Sequence, residues 1–151
     1  MTIIISALLI LHSALHGQDD STKEIQDLLT QYYQVMSDRD WVHYKAFFIE
    51  GATLTTIWQA PESNSPAMSH FSIDEFIHQT KDGPDSQPIF EEKMTGSEID
   101  VRGQLASAWI RYKAKFGSES HLMEWSGTDL FTLIKDNSSW KIVSLAYIAD
   151  H

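Results

Sequence analysis

Asp129 is the residue whose neighbours best equip it for chemistry. If the segment from His121 to Lys135 is a strand, then His121, Met123, Trp125, Gly127, Asp129, Phe131 and Leu133 share one face. That face is mostly apolar, and the carboxyl has two readings. Desolvation raises its pKa and suits it to moving a proton, or it is a hydrogen-bond acceptor that fixes local structure. His121 is open to two readings as well, a proton carrier beside Trp125 or an exposed histidine at a strand end.

In the preceding strand-like segment, Trp109 shares a face with Ser107, Arg111 and Lys113, while Ala106, Ala108, Ile110, Tyr112 and Ala114 make an apolar face. Alternation alone does not say which of the two faces a pocket. Arg111 could grip an anion bidentately, but a solvated strand face is the commoner place for such a side chain. Glu91 and Glu92 are adjacent, so on a strand they point to opposite faces and cannot both serve one substrate. His43, His70, His78 and His121 show neither HExxH spacing nor a close His-x-His pair, and no metal site is read from them. Without a Gly-rich phosphate loop or a Gly-x-Ser-x-Gly elbow, no nucleotide cofactor or serine-hydrolase site is expected. Cysteine is absent, which excludes disulfides and thiol nucleophiles.

The elements that must position these residues are legible from periodicity. Ile25, Leu28, Leu29, Tyr32, Val35 and Met36 share a helical face, and Ser21 with Glu24 has the Ser-x-x-Glu spacing of a capping box at its start. Asp40 is placed to cap a second, shorter helix carrying Trp41, Tyr44, Phe47 and Phe48, which Gly51 would end. The run ATLTTIW, 52–58, reads as a strand and the Pro/Ser-rich stretch after it as a loop. Ser72 and Glu75 repeat the capping signature before a third helix that stops near Gly83 and Pro84. Four strands then follow, 89–101, 105–116, 121–135 and 140–148, separated by turns at Gly103, Gly117 and Asp136-Asn137. Connections this short require antiparallel neighbours.

The 151 residues form one domain-sized chain, 42% hydrophobic, with five Trp, five Tyr and seven Phe to build a core. A net charge of −10 and the lack of any Lys/Arg cluster argue against a nucleic-acid backbone or an anionic membrane surface as partner. The uncharged run 2–15 turns polar at His16 to Asp20 and has the character of a signal segment. It lacks the basic residues that usually lead one, and a first strand or buried helix is the alternative. The expected organisation is a signal peptide over 1–17 and a domain over 18–151, secreted or periplasmic and with no membrane contact once the segment is removed.

Four stretches carry a resemblance: YYQVMSDRDW at 32–41 followed by Phe47-Phe48, EEKMTGSEIDVRGQLASAWIRY at 91–112, GTDLFTLIK at 127–135 and WKIVSL at 140–145. In this order they resemble the nuclear transport factor 2-like, or cystatin-like, superfamily, which includes ketosteroid isomerase and SnoaL-like polyketide cyclases. The likeness is greatest to exported SnoaL-like or lumazine-binding-like proteins of unknown function. It implies an α+β fold in which a curved mixed or antiparallel sheet wraps around three N-terminal helices, forming a cone with an internal pocket. It also implies a small apolar or amphipathic ligand, and a homodimer through the outer sheet face.

Ketosteroid isomerase places an oxyanion-binding Tyr on its first helix, which implies such a role for Tyr32 or Tyr33, with core packing as the ordinary alternative. Its general-base Asp has no counterpart in ATLTTIW, and Trp125-Ser126-Gly127 stands where several relatives have His-Cys-Gly or His-Trp-Gly. Fold does not fix chemistry, so two functions are carried forward. One is a binding pocket lined by Tyr32, Trp58, Trp109, Tyr112 and Trp125. The other is an isomerase, cyclase or dehydratase in which Asp129 moves a proton and Tyr33 or His121 steadies an enolate-like intermediate.

Overall fold

The computed structural model describes residues 4–58 and 65–150, with side chains from Asp19 to Ile57 and from Ser65 to Asp150. The signal-segment reading of 1–17 lies outside the described side chains. Helix α1 (Ile4–Ser37) buries Ile25, Leu29, Tyr32, Tyr33 and Met36 along one stripe. It runs through Ser21 without a break, so the expected start there is corrected. A cap is a preference of about 1 kcal/mol, and with no proline upstream nothing forces the helix to begin at it. Glu24 serves the tertiary fold instead, accepting from Lys135 Nζ at 2.6 Å and from Trp140 Nε1 at 3.0 Å. The helix closes on Arg39, at φ 58, with Asp40 N–H donating back to Val35 O.

Asp40 caps α2 (Trp41–Ala46) by accepting from His43 N–H. Strand β1 (Phe48–Trp58) follows at once. Gly51 therefore does not end the helix, which stops at Ala46; it sits inside β1 at φ +78, where the register against the last strand shifts between Phe48 and Thr53. Such a bulge needs the left-handed backbone that glycine adopts freely. Strand β2 (Ala67–Ser72), antiparallel to β1, occupies part of the expected loop. It is short, largely exposed and lies at the sheet edge, so little apolar alternation marks it. The Ser72–Glu75 capping box opens α3 (Ile73–Gln79), and two short 3₁₀ turns, Thr80–Asp82 and Pro84–Ser86, meet at Gly83.

Strands β3 (Ile89–Arg102), β4 (Leu105–Ser118), β5 (His121–Asp136) and β6 (Ser139–Ala149) form an antiparallel meander. The sheet order is β2-β1-β6-β5-β4-β3, and β1 runs parallel to β6, so the sheet is mixed. Register shifts between Met94 and Gly96 and between Thr132 and Leu133 help bend it. The architecture is α+β, a curved open sheet with the helices against its inner face. On that face Ala106, Ala108, Ile110, Tyr112 and Ala114 are buried, as are Phe131, Leu133, Ile142 and Leu145. Each large side chain among them contributes roughly 1.5–3 kcal/mol by leaving water. Among the described residues no helix is long and apolar enough to cross a membrane.

Candidate functional site

The helices do not fill the bend of the sheet completely, and a cavity of about 300 Å³ remains. Alternation decides which residues reach it. From β4 come Tyr112 and Phe116, from β5 Trp125 and Asp129, and from β6 Leu145, Tyr147 and Ala149. Tyr32 and Met36 of α1 and Tyr44 of α2 approach from the helical side, with Phe76 of α3 and the Gly83-Pro84 step beside them. Asp85 braces that step, accepting from the Trp41 indole at 3.0 Å and from Thr80 Oγ1 at 2.7 Å.

Two carboxyls enter this apolar space. Asp129 is 4% exposed and accepts a hydrogen bond from the Tyr33 hydroxyl. Burial pushes its pKa up to about 7, against the lowering effect of that bond. Glu92 lies on β3 between Phe90 and Met94, on the same side as Phe90. The residue keeps intermediate exposure on its edge strand, but its carboxyl is desolvated, and burial with the nearby Asp129 charge pushes its pKa up to about 8. No described group hydrogen-bonds that carboxyl. Its backbone is fixed instead, since Ser37 Oγ accepts from Glu92 N–H at 2.9 Å and donates to Glu92 O at 3.0 Å. The end of α1 thereby pins β3 at the position from which the acid projects.

Phenols surround the pair. Burial holds the Tyr32, Tyr33, Tyr44 and Tyr112 hydroxyls well above the ordinary range and Tyr147 at about 12, so all remain protonated near neutrality. Tyr32 is locked by edge-on contacts with Tyr33 and Phe131, each with ring centroids 5.2 Å apart. Its hydroxyl lies 3.2 Å from that of Tyr44. Among the described residues, no Lys, Arg or His lines the cavity, and no group of three or more acids or histidines is disposed to hold a metal ion. The arrangement can bind a planar apolar molecule, offer it phenolic donors and exchange protons through two acids that titrate as a pair near neutral pH.

A family described as "Putative lumazine-binding" matches residues 20–148. The chain belongs to this family. Its fold is similar to that of solved nuclear transport factor 2-like proteins. A variant of Rv3472, a protein of unknown function from Mycobacterium tuberculosis, superposes with a TM-score of 0.71 at 15% identity, over 91% of this chain and 76% of its own. A nuclear transport factor 2-like protein with a cystatin-like fold from Novosphingobium aromaticivorans gives 0.67 at 14% identity, over 92% and 86%. A superfamily protein from Salmonella enterica serovar Typhimurium gives 0.68 at 15% identity, over 85% and 90%. Comparison with curated proteins finds no match by sequence.

Within the family fold, the residues singled out from the sequence separate. Tyr32, Tyr112, Trp125 and Asp129 meet at the cavity, and Tyr33 reaches it through Asp129. Trp109 does not: it stands between Ala108 and Ile110, both fully buried, and alternation turns it to the outer face. His121 stands apart too: it is the exposed first residue of β5, the second of its two readings, and bonds Ser120. The Trp58 side chain lies outside those described. Glu92 is the residue that sequence reasoning missed. Dismissing Glu91-Glu92 as a pair was sound, since Glu91 turns away to Lys93. The carboxyl that shares the cavity with Glu92 belongs to another strand, and the alternation of Phe90 and Glu92 was the signal for it.

Proposed function

We propose that this protein binds one planar, largely apolar small molecule with a polar edge in the cavity between helices and sheet. The observation that carries this reading is the lining: aromatic rings from α1, α2, α3, β4, β5 and β6 around about 300 Å³, with side-chain polar groups limited to phenols, two acids, the Thr56 hydroxyl and the Trp125 indole. That volume is at the lower end of small-molecule sites, which hold a ligand by apolar walls and a few oriented polar groups. Lumazine, named in the family's description, is a fused planar heteroaromatic of this general shape. Native mass spectrometry of the full chain should reveal a retained small molecule. Failing that, a panel of planar aromatics including lumazine should contain a compound that raises Tm by roughly 5 °C or more at saturation. An empty cavity with no shift across the panel would overturn the reading.

A second reading, proton transfer on the bound molecule, is favoured by one specific observation: Glu92 and Asp129 open onto the same cavity. Ionised Asp129 would take a proton at one position while neutral Glu92 returns one at another, with buried tyrosines donating to developing negative charge. Under this reading Asp129→Asn abolishes turnover while the fold persists, and unchanged turnover eliminates it.

The outer face supports a proposal about assembly. Ile57, Met68, Trp109 and Ile148 are all at least half exposed there, Met68 by 73% and Trp109 by 52%, over one contiguous depression. Contiguous apolar surface of this kind is typical of contact sites, and we propose an isologous homodimer. Trp109→Glu should then shift sedimentation from dimer to monomer. A parent chain that stays monomeric at high concentration would rule the dimer out.

A further inference from the structure

We infer that the cavity's ligand is a cationic amine on a planar aromatic body, with Glu92 as its counter-ion. The inference rests on the small-ligand reading above and names the class of ligand. Three independent features of the cavity lead to it.

First, the Glu92 carboxyl faces the space with no hydrogen-bond partner among the described residues, although Ser37 holds its backbone firmly. A neutral apolar ligand filling the cavity would take water from that carboxyl without supplying a partner, which is costly. An ammonium or amidinium group supplies several donors and a charge of the right sign. Second, two acids share the cavity and the described lining holds no cation to balance them. Anionic ligands are therefore repelled. A cation stabilises the ionised form of both acids at once. Third, the aromatic side chains of Tyr32, Tyr44, Phe76, Tyr112, Trp125 and Tyr147 line the walls. Ring faces carry the negative end of the aromatic quadrupole, so the surfaces that accept an aromatic body also attract the charge attached to it. The net charge of −10 steers cations toward the protein from a distance.

Asp129 from β5 is the charge that acts on Glu92, and Glu92 in turn helps hold up the hydroxyls of Tyr112 from β4, Tyr147 from β6, and Tyr33 and Tyr44 from the helices. All the phenols are neutral near pH 7, which leaves the two acids to respond. Without ligand they hold a proton between them near neutrality, and capture of a cation expels it. Amine binding should accordingly release protons to the buffer, and the observed binding enthalpy should depend on the buffer's own ionisation enthalpy.

Three molecules of one shape provide the test: tryptamine, its neutral alcohol analogue tryptophol, and the anion indoleacetate, titrated into the full chain by calorimetry at about pH 7. Tryptamine should bind about tenfold or more tightly than tryptophol, and indoleacetate should bind weakest. Glu92→Gln should erase the preference for tryptamine while Glu92→Asp keeps it, and far-ultraviolet circular dichroism should confirm that both variants are folded. If tryptophol binds as well as tryptamine, the amine inference falls and the small-ligand reading stands. If none of the three binds and no planar aromatic raises Tm, both fall. A preference for tryptamine that survives Glu92→Gln would overturn the assignment of Glu92 as counter-ion.

Discussion

Asp129→Asn should make the protein more stable at about pH 8, by on the order of 4 kcal/mol, and leave it nearly unchanged at about pH 4. The carboxyl's folded pKa is raised to about 7 from an ordinary value near 4, with burial as the cause. A group whose folded pKa is raised binds its proton more tightly in the native state. Below the unfolded value it is neutral in both states and costs nothing. As pH climbs from about 4 to about 7, the unfolded chain ionises freely while the native carboxyl resists, and stability falls until the folded group ionises as well. Asparagine has the same shape, keeps an oxygen to accept from Tyr33 and cannot ionise. Glu24, Asp40, Glu75 and Glu91 have lowered pKa values and push stability the other way at acid pH, but they cancel in the difference; Glu92 does not, since it loses the Asp129 charge that helps raise its pKa, and this adds to the gain at high pH. Urea denaturation of parent and variant across this range measures it. A difference that does not change with pH would mean that Asp129 is not desolvated in solution.

The fold was far more legible than the site, and particular residues show why. Strands β4, β5 and β6 were marked by alternation because much of one face of each is buried, and the turns by Gly103 and Asn137, both at positive φ. The short helices were marked by Asp40 and Ser72, whose side chains do cap them. Strand β2 was invisible because pairing with β1, not the pattern of its own short mixed sequence, creates it. The site depends on which face of each strand turns inward, and a strand viewed alone has two. Tyr112 and Trp109 were equally plausible on β4 until the sheet's curvature chose between them. Glu92 was harder still. Its partner in the cavity stands 37 positions later in the chain and two strands away in the sheet, and only the register of β3, β4 and β5 brings them to one space.

Gly127→Ala should cost about 3 kcal/mol or more, a large loss for one methyl group. Gly127 lies on β5 two residues before Asp129, opposite Tyr112 of β4. A Cβ built there would collide with the Tyr112 hydroxyl and ring on one side and with the backbone carbonyl of Ile148 on the other. The glycine is needed for space rather than for its dihedral freedom, since the Tyr112 side chain crosses the strand where a side chain of residue 127 would begin. The Tyr112 hydroxyl, 3.4 Å from Ile148 O, also closes the gap toward β6. Relief therefore requires moving either a β6 carbonyl or the Tyr112 ring, and the ring is the softer choice. That movement would disturb the cavity wall next to Asp129, so ligand binding should suffer beyond what global stability explains. Truncating Tyr112 to Leu in the alanine background should recover part of the loss, giving a coupling of about 1 kcal/mol or more in a double-mutant cycle. The residual loss would belong to the Ile148 carbonyl. If Gly127→Ala lies within about 0.5 kcal/mol of the parent in urea denaturation, the Tyr112 ring does not cross Gly127. The Gly-Thr-Asp run would then hold its carboxyl without the tyrosine that walls it here.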